Sequence, residues 1–165
     1  MSSSTPEALS VAVITVSDSC ARGERQDLSG PAVAEFLRGR GFSVVGTQTV
    51  PDEVDAIQQA ILRWAPQARL VATTGGTGIG PRDVTPEATR AVCERILEGI
   101  AERMRWEGSK KTPFAVLSRA VCGVRGKALI LNLPGSPSGA VDSLASVIDL
   151  LPHALQLLAG ETRHD

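Results

Sequence analysis

The chain has 165 residues, 42% hydrophobic and 21% charged, with a formal net charge of −1, the make-up of one globular domain with a substantial core. It has no basic run, three Phe, two Trp and no Tyr, which excludes a broad nucleic-acid surface and base-stacking platforms. No apolar stretch approaches the ~20 residues a membrane helix needs, and Cys20, Cys93 and Cys122 are too few and too scattered for a zinc site or a disulfide framework.

Residues 1–10 read as a flexible N-terminus, without the basic and apolar regions of a secretory signal. Free thiols then suit a reducing cytoplasm. Val11–Val16 is an apolar, largely β-branched run, as in a central parallel strand. A polar stretch runs from Ser17 to Gly30. Pro31 opens a helix with Val33, Phe36 and Leu37 on one face, and Gly41 ends it. Phe42–Val50 is a second strand. Pro51-Asp52 is a turn, with Asp52 a candidate cap for a helix striped by Val54, Ile57, Ile61 and Trp64. Arg69–Thr74 is a third strand. A glycine-rich loop follows, then a helix from Thr85 to about Leu97, with Thr85 as N-cap and Pro86 at the first helical position. Ile100–Lys110 reads as another helix. Ala120–Val124 and Ala128–Leu133, joined by Arg125-Gly126-Lys127, predict a hairpin. After Leu133–Gly139, a punctuated loop, a helix runs to about Leu151 and a last one from Pro152 to Leu158. Alternating strands and helices predict a single three-layer α/β/α domain over residues 11–160, with a mostly parallel sheet, one antiparallel edge hairpin and a tail at 161–165.

The most informative segment is Leu70–Thr89. It holds four glycines between Gly75 and Gly80, then Arg82-Asp83, then a helix start. Free amides in such a loop make an anion nest, and the helix N-terminus adds partial positive charge, so a phosphate-bearing ligand is expected. The standard nucleotide motifs do not fit. Gly126-Lys127 is followed by Ala128, not Ser or Thr, and Pro81 stands where a dinucleotide fingerprint needs its third glycine. A tight strand-to-helix turn is the plain alternative.

In open parallel sheets, ligands sit beyond the carboxyl ends of the strands. Four segments leave such ends: Ser17-Asp18, Pro51-Asp52, Gly75–Asp83 and Pro134-Gly135-Ser136. Aspartates on one rim repel, and a hard cation such as Mg²⁺, shared with substrate phosphates, relieves that. Phosphoryl or nucleotidyl transfer fits such a rim. Each residue also has a modest reading. Asp52 can cap a helix, Asp18 can order its own loop, Asp83 can favour the helix start, Arg82 can be a solvated charge, and Ser118-Arg119 can be a surface pair. Arg119 and Arg82 compete as the phosphate-binding cation.

Taken in order, these segments resemble the molybdopterin adenylyltransferases, the group of bacterial MogA, the related MoaB proteins and the G domains of gephyrin and its plant counterpart. The matching motifs are Thr15–Ser19, Asp27–Gly30, Val50–Glu53, Thr73–Gly78, Pro81–Thr89, Thr112–Phe114, Leu117–Arg119, Gly123–Lys127 and Leu131–Ser136. The resemblance implies the molybdopterin-binding fold and transfer of AMP from ATP to the terminal phosphate of molybdopterin, with Mg²⁺. It implies a homotrimer and, because the chain stops at Asp165, a separate molybdenum insertase. Asp52 and Asp83 fall on the family's two functional aspartates, the catalytic and Mg²⁺-binding pair. The substrate-binding set is Ser17, Asp18, Thr74, Gly75, Gly76, Thr77, Gly78, Arg82, Ser118, Arg119, Pro134, Gly135 and Ser136. The other reading is a non-catalytic, MoaB-like trimeric carrier or scaffold for molybdopterin.

Overall fold

The computed structural model describes residues 6–161; expectations for residues 1–5 and 162–165 lie outside it. Six strands form one sheet: β1 (Ser10–Val16), β2 (Ser43–Val50), β3 (Leu70–Thr74), β4 (Arg95–Ile96), β5 (Cys122–Arg125) and β6 (Ala128–Leu133), in the order β2-β1-β3-β6-β5-β4. β2, β1, β3 and β6 are parallel, while β5 and β4 run antiparallel at one edge. The parallel sheet and its edge hairpin are as the sequence predicts.

Period-two alternation assigns the core to two layers. Val11, Val13, Leu70, Leu129 and Leu131 face α2 (Ser29–Gly39), α6 (Pro137–Val147) and α7 (Leu151–Leu158) through Val33, Leu37, Leu144 and Leu151. Ala12, Ile14, Val71 and Ile130 face α3 (Val54–Trp64) and α4 (Thr85–Val92) through Ile57, Ile61, Trp64 and Ala88. Helices on both sides explain why these strands read as unbroken apolar runs. Each fully buried Ile or Leu among them stabilises the fold by about 1.5–3 kcal/mol.

The register of β2 against β1 shifts between Val11 and Ala12: Val11 faces Val44, but Ala12 faces Gly46. Val45 is thus the extra residue of a bulge in a parallel pair. Gly46 is required beside it, because a Cβ there would lie 2.1 Å from the Trp64 ring.

Four local expectations change. The helix from Thr85 stops at Val92, not Leu97, because Cys93 turns extended and Glu94 and Leu97 donate their amides to Val124 and Cys122, both at 2.8 Å. Sheet pairing wins over helical pattern there and creates β4. Thr85 is not the N-cap, which is Val84; the Thr85 hydroxyl instead donates to the carbonyl of Gly75 at 2.9 Å. The polar stretch after β1 contains a helical turn, α1 (Asp18–Ala21), capped by Ser17 Oγ. The run Pro137–Leu158 is 22 residues of helix with mean hydropathy 1.2, long and apolar enough to match a membrane span. Its Ala140, Leu144, Val147, Leu151 and Leu155 are packed in the core. The remaining helix, α5 (Glu98–Ser109), leads through a 3₁₀ turn at Pro113–Leu117 into β5.

Burial pushes the Cys122 thiol up to about 12 and that of Cys93 to about 11, so neither is a ready nucleophile.

Candidate active site

The parallel strands end side by side. Val16 is paired with Val50, Thr15 with Thr74 and Thr74 with Leu133, so the four following loops share one edge. β2 and β3 lie on opposite sides of β1, which puts the topological switch point here. Backbone bonds stitch the loops together: Ser17 N–H donates to Val50 O (2.9 Å) and Gly75 N–H to Leu133 O (3.0 Å). The Thr74 hydroxyl donates to Pro134 O at 2.7 Å. A Cβ on Gly135 would sit 3.3 Å from the Cα of Gly75, so the glycine loop and the Pro134–Ser136 loop touch backbone to backbone.

Asp18 and Asp52 are locked in a reciprocal pair. The Asp18 amide donates to Asp52 Oδ2 at 2.9 Å, and the Asp52 amide donates to Asp18 Oδ1 at 3.0 Å. Arg82 reaches across from the glycine loop and donates both Nε and Nη2 to the Asp18 carboxylate, each at 3.0 Å. Two of the modest readings change: Asp52 does not cap α3, which has Glu53 at its N-cap, but accepts the first amide of α1, and Asp18 binds a neighbouring loop, not its own; Arg82 is paired yet 60% exposed.

The charges follow from this. Arg82, first through its hydrogen bonds, then the Asp52 amide, hold the Asp18 carboxyl below the usual carboxylate range. Burial pushes Asp52 above that range, and the charges of Asp18 and Asp83 push the same way.

The glycines divide the work unevenly. Gly75 (φ +106°) and Gly76 (φ +69°) take the left-handed conformations that favour glycine. Gly78 and Gly80 do not; they make room for Asp83, whose Oδ2 would lie 2.9 Å from a Cβ on either. The Gly80 amide donates to that same oxygen at 2.9 Å. The amides of Gly76, Thr77 and Gly78 have no partner among the described residues, leaving a row of donors beside Asp52 and Asp83.

Two cavities flank the Pro134–Ser136 loop. The first, about 440 Å³, is of mixed polarity and is lined by Asp27, Asp52, Thr74, Gly75, Gly76 and Asp83, together with Ser17, Arg25, Gly135, Ser136 and the apolar Val16, Leu28 and Pro137. The second, about 320 Å³, is walled mainly by apolar groups, including Ala101, Met104, Phe114, Ala115 and Leu117, with Arg105 and Lys111 at its rim. It takes in Thr77, Gly78, Ser118 and Pro134, and shares Ser136 with the first. Asp18, Arg82 and Arg119 line neither. Sequence reasoning assigned no role to Arg25 and Asp27, although both lie in the polar stretch it marked. Asp27 Oδ2 accepts from the Thr15 hydroxyl (2.7 Å) and Oδ1 from the Gly30 amide (3.0 Å), ordering the start of α2 against β1. The signal was the Asp-x-Ser-Gly spacing. The apolar cavity is not legible in the sequence because α5, the 3₁₀ turn at Pro113–Leu117 and α6 meet only in three dimensions.

Among the described residues no group of three or more His, Cys, Asp or Glu is placed to hold a metal ion. What the first cavity offers is three carboxylates, Asp27 already bonded to protein and Asp52 disfavoured as an anion first by its burial, beside the Gly76 amide, which has no partner among the described residues. That set suits an anionic ligand bound together with a hard cation.

Residues 12–153 match the family model of the probable molybdopterin binding domain. The molybdopterin adenylyltransferase of Helicobacter pylori is 38% identical over 93% of this chain and 90% of its own. The molybdenum cofactor synthesis protein cinnamon of Drosophila melanogaster is 41% identical over 94% of this chain, which spans about a quarter, 26%, of that longer protein. The crystal structure of the molybdopterin biosynthesis enzyme MoaB of Thermus thermophilus superposes with a TM-score of 0.87 at 51% identity, covering 92% of this chain and 97% of that one.

Proposed function

The chain belongs to the probable molybdopterin binding domain family, and from that premise we propose that it is a molybdopterin adenylyltransferase of molybdenum cofactor biosynthesis. The observation that carries the reading is the pairing of Asp52 and Asp83 around one cavity next to the free amides of the glycine loop. Full-length bacterial relatives bearing the adenylyltransferase name support it.

In this reading, an oxygen of the molybdopterin phosphate attacks the α-phosphorus of ATP. The bond from that phosphorus to the bridging oxygen breaks, and pyrophosphate leaves with the electron pair. Gly76–Gly78 amides hold phosphate oxygens, and the second cavity takes a flat ring of one substrate against Phe114, Met104 and Leu117. Asp52 and Asp83 would hold Mg²⁺, which screens the phosphate charges when bound. The carboxylates fit such an ion, because burial and mutual repulsion make Asp52 a poor lone anion. A homotrimer, a separate insertase as partner and a cytoplasmic setting belong to the same reading.

A carrier that binds molybdopterin without turnover is the second reading, favoured by the family model's description, which names molybdopterin binding and no reaction. Incubation with ATP, Mg²⁺ and molybdopterin separates the two. Pyrophosphate release is the expected result; molybdopterin binding without release would establish the carrier. Light scattering on the same sample should give about three times the mass of the 17.3 kDa chain.

A further inference from the structure

Arg119 was expected to be a ligand-binding cation, yet every donor group of its side chain is turned to protein. Its Nε donates to Gly78 O at 2.7 Å and its Nη2 to Asp83 O at 2.8 Å. Its Nη1 donates to both oxygens of the Glu87 carboxylate, the longer bond being 3.0 Å. Its backbone amide donates to Thr77 O at 2.8 Å. One residue thereby ties Thr77, Gly78, Asp83 and the first turn of α4 to the irregular segment leading into β5.

The segment it ties needs tying. Residues 75–84 lie between β3 and α4, and Gly78 and Gly80 contribute no side-chain contacts of their own. Among the described residues the Asp83 carboxylate has a single donor, the Gly80 amide, from within the same loop. Arg82 holds the loop to Asp18 on one side, and on the other side Arg119 supplies the ties. The guanidinium fork fits two carbonyls and a carboxylate at once, a geometry Lys cannot reproduce.

We propose that Arg119, buttressed by Glu87, is a positioning residue that acts through the 77–83 loop to set the Asp83 carboxylate, and contacts neither substrate. The proposal rests on the adenylyltransferase reading for its kinetic consequence alone; the strut itself is read in the ligand-free protein. It predicts a loss in turnover with binding retained, because a displacement of about 1 Å in a positioned group costs on the order of 100-fold.

The experiment compares Arg119→Ala, Arg119→Lys and Glu87→Gln with the parent chain by steady-state pyrophosphate release, calorimetric titration with molybdopterin, and amide hydrogen exchange. Expected for Arg119→Ala are a kcat about 100-fold lower, a molybdopterin Kd within roughly threefold, and exchange of the two hydrogen-bonded amides of the 77–83 loop, Gly80 and Asp83, faster by about tenfold. Arg119→Lys, which can serve one carbonyl at a time, should recover part of kcat, and Glu87→Gln should fall between Lys and the parent. If Arg119→Ala does not fold, the other two variants carry the test. A molybdopterin Kd weakened about tenfold or more with kcat kept would make Arg119 a ligand contact and overturn the proposal. Unchanged kcat, or unchanged exchange at Gly80 and Asp83, would also overturn it. Absence of pyrophosphate release from the parent chain would defeat the adenylyltransferase reading only, since exchange still decides the strut.

Discussion

On one side of the Pro134–Ser136 loop the wall mixes carboxylates, backbone and Arg25 with Val16, Leu28 and Pro137; on the other it is mainly methyl, thioether and aromatic ring, with Arg105 and Lys111 in the lining. The first cavity is built from the ends of parallel strands, where neighbouring loops are fixed by ladder geometry and can hold charges at set separations. The second is built from α5, the Pro113–Leu117 turn and α6, whose contacts are non-directional. A site for transferring charge and a site for gripping a flat surface need these different constructions: charge stabilisation depends on placement, apolar grip on area.

That contrast sets the order of expected losses. Asp52→Asn or Asp83→Asn should cut kcat by roughly 100- to 1,000-fold, while melting stays close to the parent because both are loop residues with no core packing. Pyrophosphate release and a melting curve on the same preparations check this. Near-normal turnover in both would take the chemistry out of the first cavity. In the second cavity, Phe114 is 74% exposed, so Phe114→Ala should leave the fold intact. It should raise one substrate's KM by about tenfold at most, with kcat little changed. Measuring KM for ATP and for molybdopterin separately shows which ring it holds, and a loss confined to kcat would erase the contrast.

The smallest effect concerns protons. Asp52 is raised, so its charge weakens the fold at pH above the ordinary carboxylate range, and this penalty fades as pH falls through the raised value. Mg²⁺ favours the ionised form, so its binding should release protons at mildly acidic pH and raise the melting temperature at neutral pH. Calorimetry in buffers of different ionisation enthalpy measures the first, and Asp52→Asn should abolish it. Proton release that persists in this variant would place the ion elsewhere.

Much of the fold was legible because Val11–Val16, Leu70–Thr74 and Ala128–Leu133 are buried on both faces and advertise it. The convergence of four loops was legible for the same reason, since parallel strands force it. What could not be read was what each polar side chain faces. Arg82 and Arg119 are both arginines near glycines, and their different partners, the Asp18 carboxylate for one and the Gly78 and Asp83 carbonyls for the other, are not written in the sequence. Gly78 looked like a ligand-approach glycine, yet its neighbour is Asp83. β4 was hidden because two residues carry no period, and it exists through pairing with β5.

The bulge at Val45 sets a limit on how this chain can change length. Loops accept insertions, but β2 counts residues from that bulge to Val50, and the count decides which side chain emerges opposite Asp18. Removing Val45 itself would only erase the bulge and leave Gly46–Val50 in register with Ala12–Val16, but removing a residue beyond it, such as Thr47, would draw Glu53 to where Asp52 now stands and turn the following side chains of the strand to the opposite face. A single-codon deletion at Thr47, on the order of 15 Å from Asp52 at about 3.3 Å per strand residue, is therefore as consequential for lineages of this fold as a change at the cavity itself.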